Sequence, residues 1–210
     1  MKVIGICCSP RKGGNTEILM NESLKGARES GAEIELLTIA NMNIKPCDGC
    51  GSCMKKGECH IPDDMQTIYQ KLSEADGIIF GAPVYTYSMC AQAKIIIDRT
   101  YAMRRPHLKL ASKVGAIITV ASSHGVTSVI EAFNMFFISN HMIPADWVFG
   151  YARGKGTIRK NKHAMIGSYE LGRLVTSLAN QKFCYPKEFG VPIYWLVKEK
   201  HDIDPCPFED

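Results

Sequence analysis

Four cysteines, Cys47, Cys50, Cys53 and Cys59, stand at spacings x2, x2 and x5 within thirteen residues of a 210-residue chain. Such a run gathers four soft ligands about one centre. Zinc ordinarily takes two separated Cys pairs, with a dozen or more residues between them supplying the two arms of the tetrahedron. Three successive thiols at x2 match instead the run that wraps three corners of an iron–sulfur cube. In two-cluster ferredoxins the fourth Cys of such a run serves the other cluster, but this sequence has no second run. Cys59 is therefore expected to close the same [4Fe-4S] core. Gly49, Gly51 and Gly57 suit a loop folded tightly enough to bring backbone N–H groups near sulfide. A zinc site, or four thiols with no common ligand, remain alternatives on spacing alone.

A second constellation lies at the start of the chain. Lys2 to Cys8 is an apolar run that reads as a buried strand, and Ser9-Pro-Arg11-Lys-Gly-Gly-Asn15-Thr16 follows it. Ile18, Leu19, Leu24 and Ala27 then recur at helical spacing. A strand, a glycine-containing loop and a helix N-terminus in that order suit a phosphate. Ser9, Arg11, Asn15 and Thr16 supply hydroxyl, guanidinium and amide donors to it. The loop is neither GxGxxG nor GxxxxGK[ST], so it reads as neither a dinucleotide fingerprint nor an ATP loop.

The elements that must position these residues alternate. Glu33 to Ile39 reads as a second strand, directly before the cysteine loop, and Pro62-Asp63-Asp64 opens a helix carrying Met65, Ile68, Tyr69 and Leu72. Ile78 to Ala82 is a third strand, Pro83-Val84-Tyr85-Thr-Tyr87-Ser88 its loop, and a helix from about Met89 to Met103 follows. Val114 to Ala121 is a fourth strand, ending in Ser122-Ser-His124-Gly125, before a helix from about Thr127 to Asn140. Ala145 to Tyr151 is the fifth strand and His163 to Asn180 the last helix. Five strands alternating with helices require a parallel sheet covered on both faces, a doubly wound α/β fold. Ligands in such sheets bind beyond the carboxyl ends of the strands, so the loops after strands one, three and four should converge. Phosphate donors in the first, Tyr85 and Tyr87 in the second and small polar residues in the third match FMN.

Composition agrees with one globular domain, residues 1–182, followed by an arm, residues 183–210. With 46% hydrophobic residues the chain can bury a sizeable core. The sequence predicts neither a secretory signal nor a membrane span. Nine cysteines suggest a reducing, cytoplasmic setting rather than a disulfide framework. The net charge of +4 is too small to signal nucleic-acid binding. A thiolate-bound cluster and a phosphate monoester, each about −2, would bring the loaded chain near neutrality. Arg153, Lys155, Arg159, Lys160 and Lys162 concentrate positive charge in one loop, read as a solvated surface or as a dock for an acidic carrier or a phosphate.

The segments Ser9-Pro-Arg-Lys-Gly-Gly-Asn-Thr16, Gly81-Ala-Pro-Val-Tyr85 and Ile97-Asp-Arg99, together with the four-cysteine loop, resemble the iron–sulfur flavoproteins of anaerobic archaea and bacteria. These lie within the flavodoxin-like, NADPH-dependent FMN reductase superfamily. The resemblance covers about the first 150 residues. It implies a flavodoxin-like sheet, FMN and one [4Fe-4S] cluster per subunit, and a homodimer or dimer of dimers. It implies also electrons from a ferredoxin-like donor and a small-molecule acceptor such as dioxygen or hydrogen peroxide. On this sequence Ser9, Arg11, Asn15 and Thr16 would hold the phosphate. Pro83, Val84 and Tyr85 would lie along the ring, and Cys47, Cys50, Cys53 and Cys59 would bind the cluster. The chain departs from the family's usual pattern at Cys7-Cys8 and in the third loop, where Ser122, His124 and Gly125 are the candidate contacts. An NAD(P)H-dependent FMN or quinone reductase, or a redox carrier without turnover, are the competing functions.

In the order 2-1-3-4-5, strand two lies on the far side of strand one from the loops expected to hold the ring. Cluster and flavin are therefore expected to exchange electrons across a subunit interface. His124 is a tempting proton donor, though a histidine at a helix start is more often structural. Cys90 could be an activated thiol, although burial is the commoner fate, and His60 a substitute ligand. Cys184 and Cys206 are given no ligand role. The prolines and aromatics after Phe183 read as an extended arm on a partner subunit, or as a flap over the flavin.

Overall fold

A computed structural model of the chain describes residues 1–104 and 108–203. Cys206 and the Pro205 to Phe208 stretch of the arm lie outside the described residues. Five strands form the main sheet: β1 (Lys2–Cys7), β2 (Glu33–Thr38), β3 (Gly77–Tyr85), β5 (Val114–Ala121) and β6 (Ile143–Tyr151). All are parallel, in the order β2-β1-β3-β5-β6. Every residue of β5 is buried, which is why the run Val-Gly-Ala-Ile-Ile-Thr-Val-Ala lacks a polar alternation.

Helices cover both faces. α1 (Asn15–Glu29) and α6 (Lys162–Asn180) pack Leu19, Leu24, Leu171 and Val175 against Val3, Ile79 and Ile118. On the opposite face α3 (Met65–Glu74), α4 (Ala91–Arg99) and α5 (Val126–Ser139) cover Ile4, Ile6, Phe80 and Ile117. Phe80 meets Phe133 and Phe136 of α5 at centroid separations of 5.1 and 5.6 Å, a nest that fixes α5 over the sheet centre.

Three local features differ from the sequence reading. β3 does not stop at Ala82 but runs to Tyr85 and folds back through Thr86-Tyr87 into the short antiparallel strand β4 (Ser88–Met89). The cysteine loop holds one helical turn and a half, α2 (Ser52–Lys56), between Gly51 and Gly57 at φ +68° and +70°. A helix stop at Gly57 uses the left-handed region that glycine enters freely, and Gly51 adopts the same region at the start.

The third difference corrects the arm. Its described part is not extended: Ile193–His201 forms α7, with Pro192 at the N-cap and Lys198, Lys200 and His201 in the last turn. Those nine residues contain neither Pro nor Gly, and cations at a helix C-terminus are favourable, so local preference supports the helix once Pro192 has set its start. Val191, Pro192 and Trp195 line a small cavity with Met54 of α2 and with Tyr101, Arg104 and Leu108. Tyr185 stacks on His141 at 4.6 Å, tying the segment to its own chain. The arm therefore lies near the cysteine loop, not over the strand ends.

Candidate functional site

The carboxyl ends of β1, β3 and β5 open into a cavity of about 480 Å³. Ser9, Arg11, Asn15, Thr16, Pro83, Val84, Tyr85 and Ser122 line it, as do Ala152 and Arg153. The loop after β1 is held by local bonds: the Arg11 N–H donates to Ser9 Oγ at 3.2 Å and the Gly14 N–H to the Arg11 carbonyl at 3.2 Å. Ser9 and Thr16 are almost wholly buried, so their hydroxyls are fixed by the core beneath them. Gly14 caps α1 without any side-chain bond, which leaves the first-turn N–H groups facing the same end of the cavity. Asn15 behaves differently from its neighbours, since its side chain bonds to Gly154 and Ile158.

Opposite the donors stands an apolar wall of Pro83, Val84, Val120 and Ala121. The turn that closes it is strained: Thr86 and Tyr87 both have positive φ, 45° and 68°. A two-residue hairpin with both central residues left-handed matches the twist of its strands but ordinarily uses Asn-Gly. Backbone this unfavourable persists where neighbours over-determine it. One neighbour is Gly125, at φ +93°, where an added Cβ would stand 2.7 Å from the Tyr87 carbonyl atoms. Gly125 thus seats the third loop against the hairpin. Neither Gly125 nor the exposed His124 is among the residues lining the cavity. Burial pushes the Cys90 thiol up, and its Sγ meets the Cys8 carbonyl at 3.2 Å. It is a packed thiol, not an activated one.

The cysteine loop sits on the α3–α4 side of the sheet. Cys47 and Cys50 are exposed, Cys53 and Cys59 half-buried. Burial, and after it the neighbouring Cys59, Cys47 and Cys50, push the Cys53 thiol up, so all four lie within electrostatic reach. Asp48 accepts from the Cys50 N–H at 3.2 Å and pairs with His60 Nε2 at 2.8 Å; these contacts with Cys50 and His60 hold its carboxyl down at about 2. His60 is committed to this bond. Asp48, Cys50 and His60 have ligand atoms within 4.8 Å of one another, whereas no three of the four sulfurs do. A zinc–thiolate tetrahedron has edges of about 3.8 Å. The four thiols are therefore not gathered into a zinc-sized tetrahedron.

What holds this exposed loop is a buried ion pair. Arg99 Nη1 and Nη2 bind Asp63 Oδ2 and Oδ1 at 2.7 and 3.0 Å, with both side chains at 1% exposure or less. The pair reaches both ends of the loop: Arg99 Nη1 donates to the Lys45 carbonyl at 2.7 Å, and Asp63 accepts from the Lys45 N–H at 2.8 Å. Asp64 adds a bond from the Asn43 N–H at 2.6 Å. Burial works against the Asp63 carboxylate, but Arg99 and the N–H groups of Lys45 and Met65 prevail and hold it below the ordinary range.

Sequence comparison identifies the frame. The NADPH-dependent FMN reductase family matches residues 1–154. An iron–sulfur flavoprotein of Methanocaldococcus jannaschii is 41% identical over 145 residues, 68% of this chain and 75% of that protein. The chain belongs to the iron–sulfur flavoproteins of the FMN reductase family. A second iron–sulfur flavoprotein from the same organism is 35% identical over 207 residues, 97% of this chain and all of its own length. Among solved structures, RosB superposes with a TM-score of 0.77 over all of this chain and 90% of its own at 15% identity. An archaeal flavodoxin gives 0.58 over 86% and 99% at 14% identity, so these two speak for the flavodoxin-like fold alone.

Measured against an iron–sulfur flavoprotein's needs, the donor sets fit. The cavity offers hydroxyl, guanidinium and N–H donors at one end and an apolar wall at the other, within the usual size range of small-molecule pockets. The loop offers four thiols, free of disulfides. Sequence reasoning missed two contributors. Asp63 and Arg99 are 36 residues apart, and nothing in the spacing announces their contact. Arg153 stands in the basic run read as a solvated surface or as a dock for an acidic carrier or a phosphate, and the structure places it in the cavity wall.

Proposed function

We propose that this iron–sulfur flavoprotein is an electron-transfer oxidoreductase, carrying electrons from a ferredoxin-like donor to a small acceptor, dioxygen or hydrogen peroxide. Cys47, Cys50, Cys53 and Cys59 would hold a [4Fe-4S] cluster. Ser9, Arg11 and Thr16 would hold the phosphate of FMN, and Pro83, Val84 and Tyr85 would line its ring. When bound, the cluster supplies one-electron steps and FMN both one- and two-electron steps, which lets a one-electron donor serve a two-electron reduction. For peroxide the balance is two electrons and two protons per two waters formed. The observation that carries the reading is one chain pairing a donor-lined, apolar-walled cavity with four free thiols at x2, x2 and x5 spacing in a single loop. Nine cysteines and an oxygen-sensitive centre suit a cytoplasmic setting, and no described helix is long and apolar enough to cross a membrane.

The cavity and the grooves bordering the cysteine loop share no lining residue. That separation supports exchange between the loop of one subunit and the cavity of another, in a homodimer or dimer of dimers. Light scattering that finds a monomer with full turnover would discard it. The decisive experiment is anaerobic purification with iron, sulfide and FMN counts per chain, then reduction by ferredoxin against NAD(P)H. Four irons, four sulfides and one flavin, with faster bleaching by ferredoxin, is the expected result. The family's own description favours one second reading, an NADPH-driven reductase of FMN, and a relative named NAD(P)H:quinone oxidoreductase extends it to quinones. Bleaching by NADPH alone would select it.

A further inference from the structure

The basic run after β6 is fastened at its first half to the loop after β1. The Asn15 side-chain amide donates to the Gly154 carbonyl at 2.9 Å, and its oxygen accepts from the Ile158 N–H at 3.4 Å. Ile158 is fully buried, and Thr157 Oγ1 donates to the same Gly154 carbonyl at 2.7 Å, so the loop has a fixed turn and an anchored end. The consequence is a placement of charge. Arg153 joins Ser9 and Arg11 in the cavity wall. Lys155 Nζ comes within 3.7 Å of where a Gly13 side chain would begin. Glu17 is the acid that faces them, and its carboxylate accepts from the Gly13 N–H at 2.8 Å.

A phosphate monoester carries about two negative charges, and the loop after β1 by itself brings one cation into the cavity wall, Arg11. We infer that Arg153 binds the phosphate of the flavin nucleotide, that Lys155, which is not among the cavity-lining residues, adds positive charge beside Gly13 at its edge, and that Asn15 is the positioning residue latching their loop there. This rests on the FMN reading proposed above and deepens it, because it makes the basic loop the source of selectivity for the phosphorylated flavin. Arg153 offers a planar fork and Lys155 a point charge, the two complementary ways of meeting phosphate oxygens. Asn15 has its acceptor and one donor occupied by Gly154 and Ile158, so its part is to hold the loop.

The test is flavin affinity, read by fluorescence quenching when flavin-stripped protein is titrated with FMN and with riboflavin. In the double variant Arg153→Ala, Lys155→Ala the FMN affinity falls about ten- to hundred-fold while riboflavin affinity stays unchanged, as expected for losing charge-assisted bonds to phosphate alone. Salt should weaken FMN binding less in that variant than in the parent. Asn15→Ala shifts the FMN-to-riboflavin ratio the same way by a smaller factor. An equal fall for both flavins, or an unchanged FMN affinity in the double variant, overturns the assignment and leaves the FMN reading standing. A parent chain that takes up neither flavin overturns both.

Discussion

Ser9 and Thr16, at the cavity, are almost wholly buried, whereas Cys47 and Cys50, in the other candidate site, are open to solvent. The cavity takes its shape from the ends of β1, β3 and β5, whose cores are filled by Ile4, Ile6, Phe80 and Ile117. The cysteine loop touches that core only through its flanks, where Met42 and Ile44 pack partly buried, and long-range polar bonds centred on Asp63 and Arg99 join those flanks. One site is therefore spread over many packed side chains and the other is concentrated in one ion pair. Substitutions at Asp63 or Arg99 should accordingly disturb the loop more than most single substitutions in the cavity wall disturb the cavity.

The largest separation of the two sites should come from Cys59→Ala. Removing one of four ligands is expected to abolish or destabilise the cluster while FMN stays bound, as read by iron and flavin counts on the same sample. Loss of both together would mean that the loop also supports the cavity, which would break the contrast.

Next in size is Arg99→Met. It leaves the Asp63 carboxylate buried without its partner, a change that ordinarily costs about 3–5 kcal/mol. Denaturant unfolding measures that loss, and iron content should fall before flavin content. The same pair predicts a pH signature. Because the folded Asp63 pKa is depressed, its contribution is complete at neutral pH and is lost as pH falls below the ordinary Asp value of about 3.9 toward the folded one. An acid titration that releases flavin before iron would contradict it.

The cavity has its own weak point at the strained hairpin. Gly125→Ala would drive a Cβ into the Tyr87 backbone at a position where φ is +93°, so a cost of about 1–3 kcal/mol is expected. Here the order reverses: flavin affinity should weaken while iron content holds. A melting curve together with an FMN titration separates the stability cost from the binding cost.

These contrasts also explain what could be read without coordinates. The strands β1 and β5 announce themselves because buried parallel strands are short apolar runs between turn residues, whereas β2 and β6 are the largely unburied sheet edges and β2 shows instead by alternation. The strand order follows from the flavodoxin-like resemblance. The cysteine spacing is local, so a candidate metal site is legible in the sequence itself. What stayed hidden depends on residues far apart. Asn15 meets Gly154 across 139 positions, and Arg99 meets Asp63 from another element, with no periodic signal for either. The Thr86-Tyr87 turn escaped because neither residue favours positive φ, so β3 was ended early at Ala82. Helix α7 escaped because the prolines around it suggested an extended arm, although the nine residues after Pro192 are free of breakers. His124, a candidate contact of the third loop by position and by resemblance, does not line the cavity, and Gly125 of the same loop abuts the hairpin.

The smallest expected effect sharpens the comparison most economically, because it lies on the same helix as the largest stability loss. Five residues before Arg99, Lys94 pairs with Asp98 at 2.6 Å, with side chains 60% and 42% exposed. The distance is as short as that of the buried pair, yet water screens both charges and nothing is left stranded when one is removed. Lys94→Ala should therefore change stability by no more than about 0.5 kcal/mol, without altering iron or flavin content. Unfolding midpoints for Lys94→Ala and Arg99→Met, measured side by side, test whether burial sets the effect. If the exposed pair cost as much as the buried one, the claim that the cysteine loop hangs on Asp63 and Arg99 would lose its physical basis.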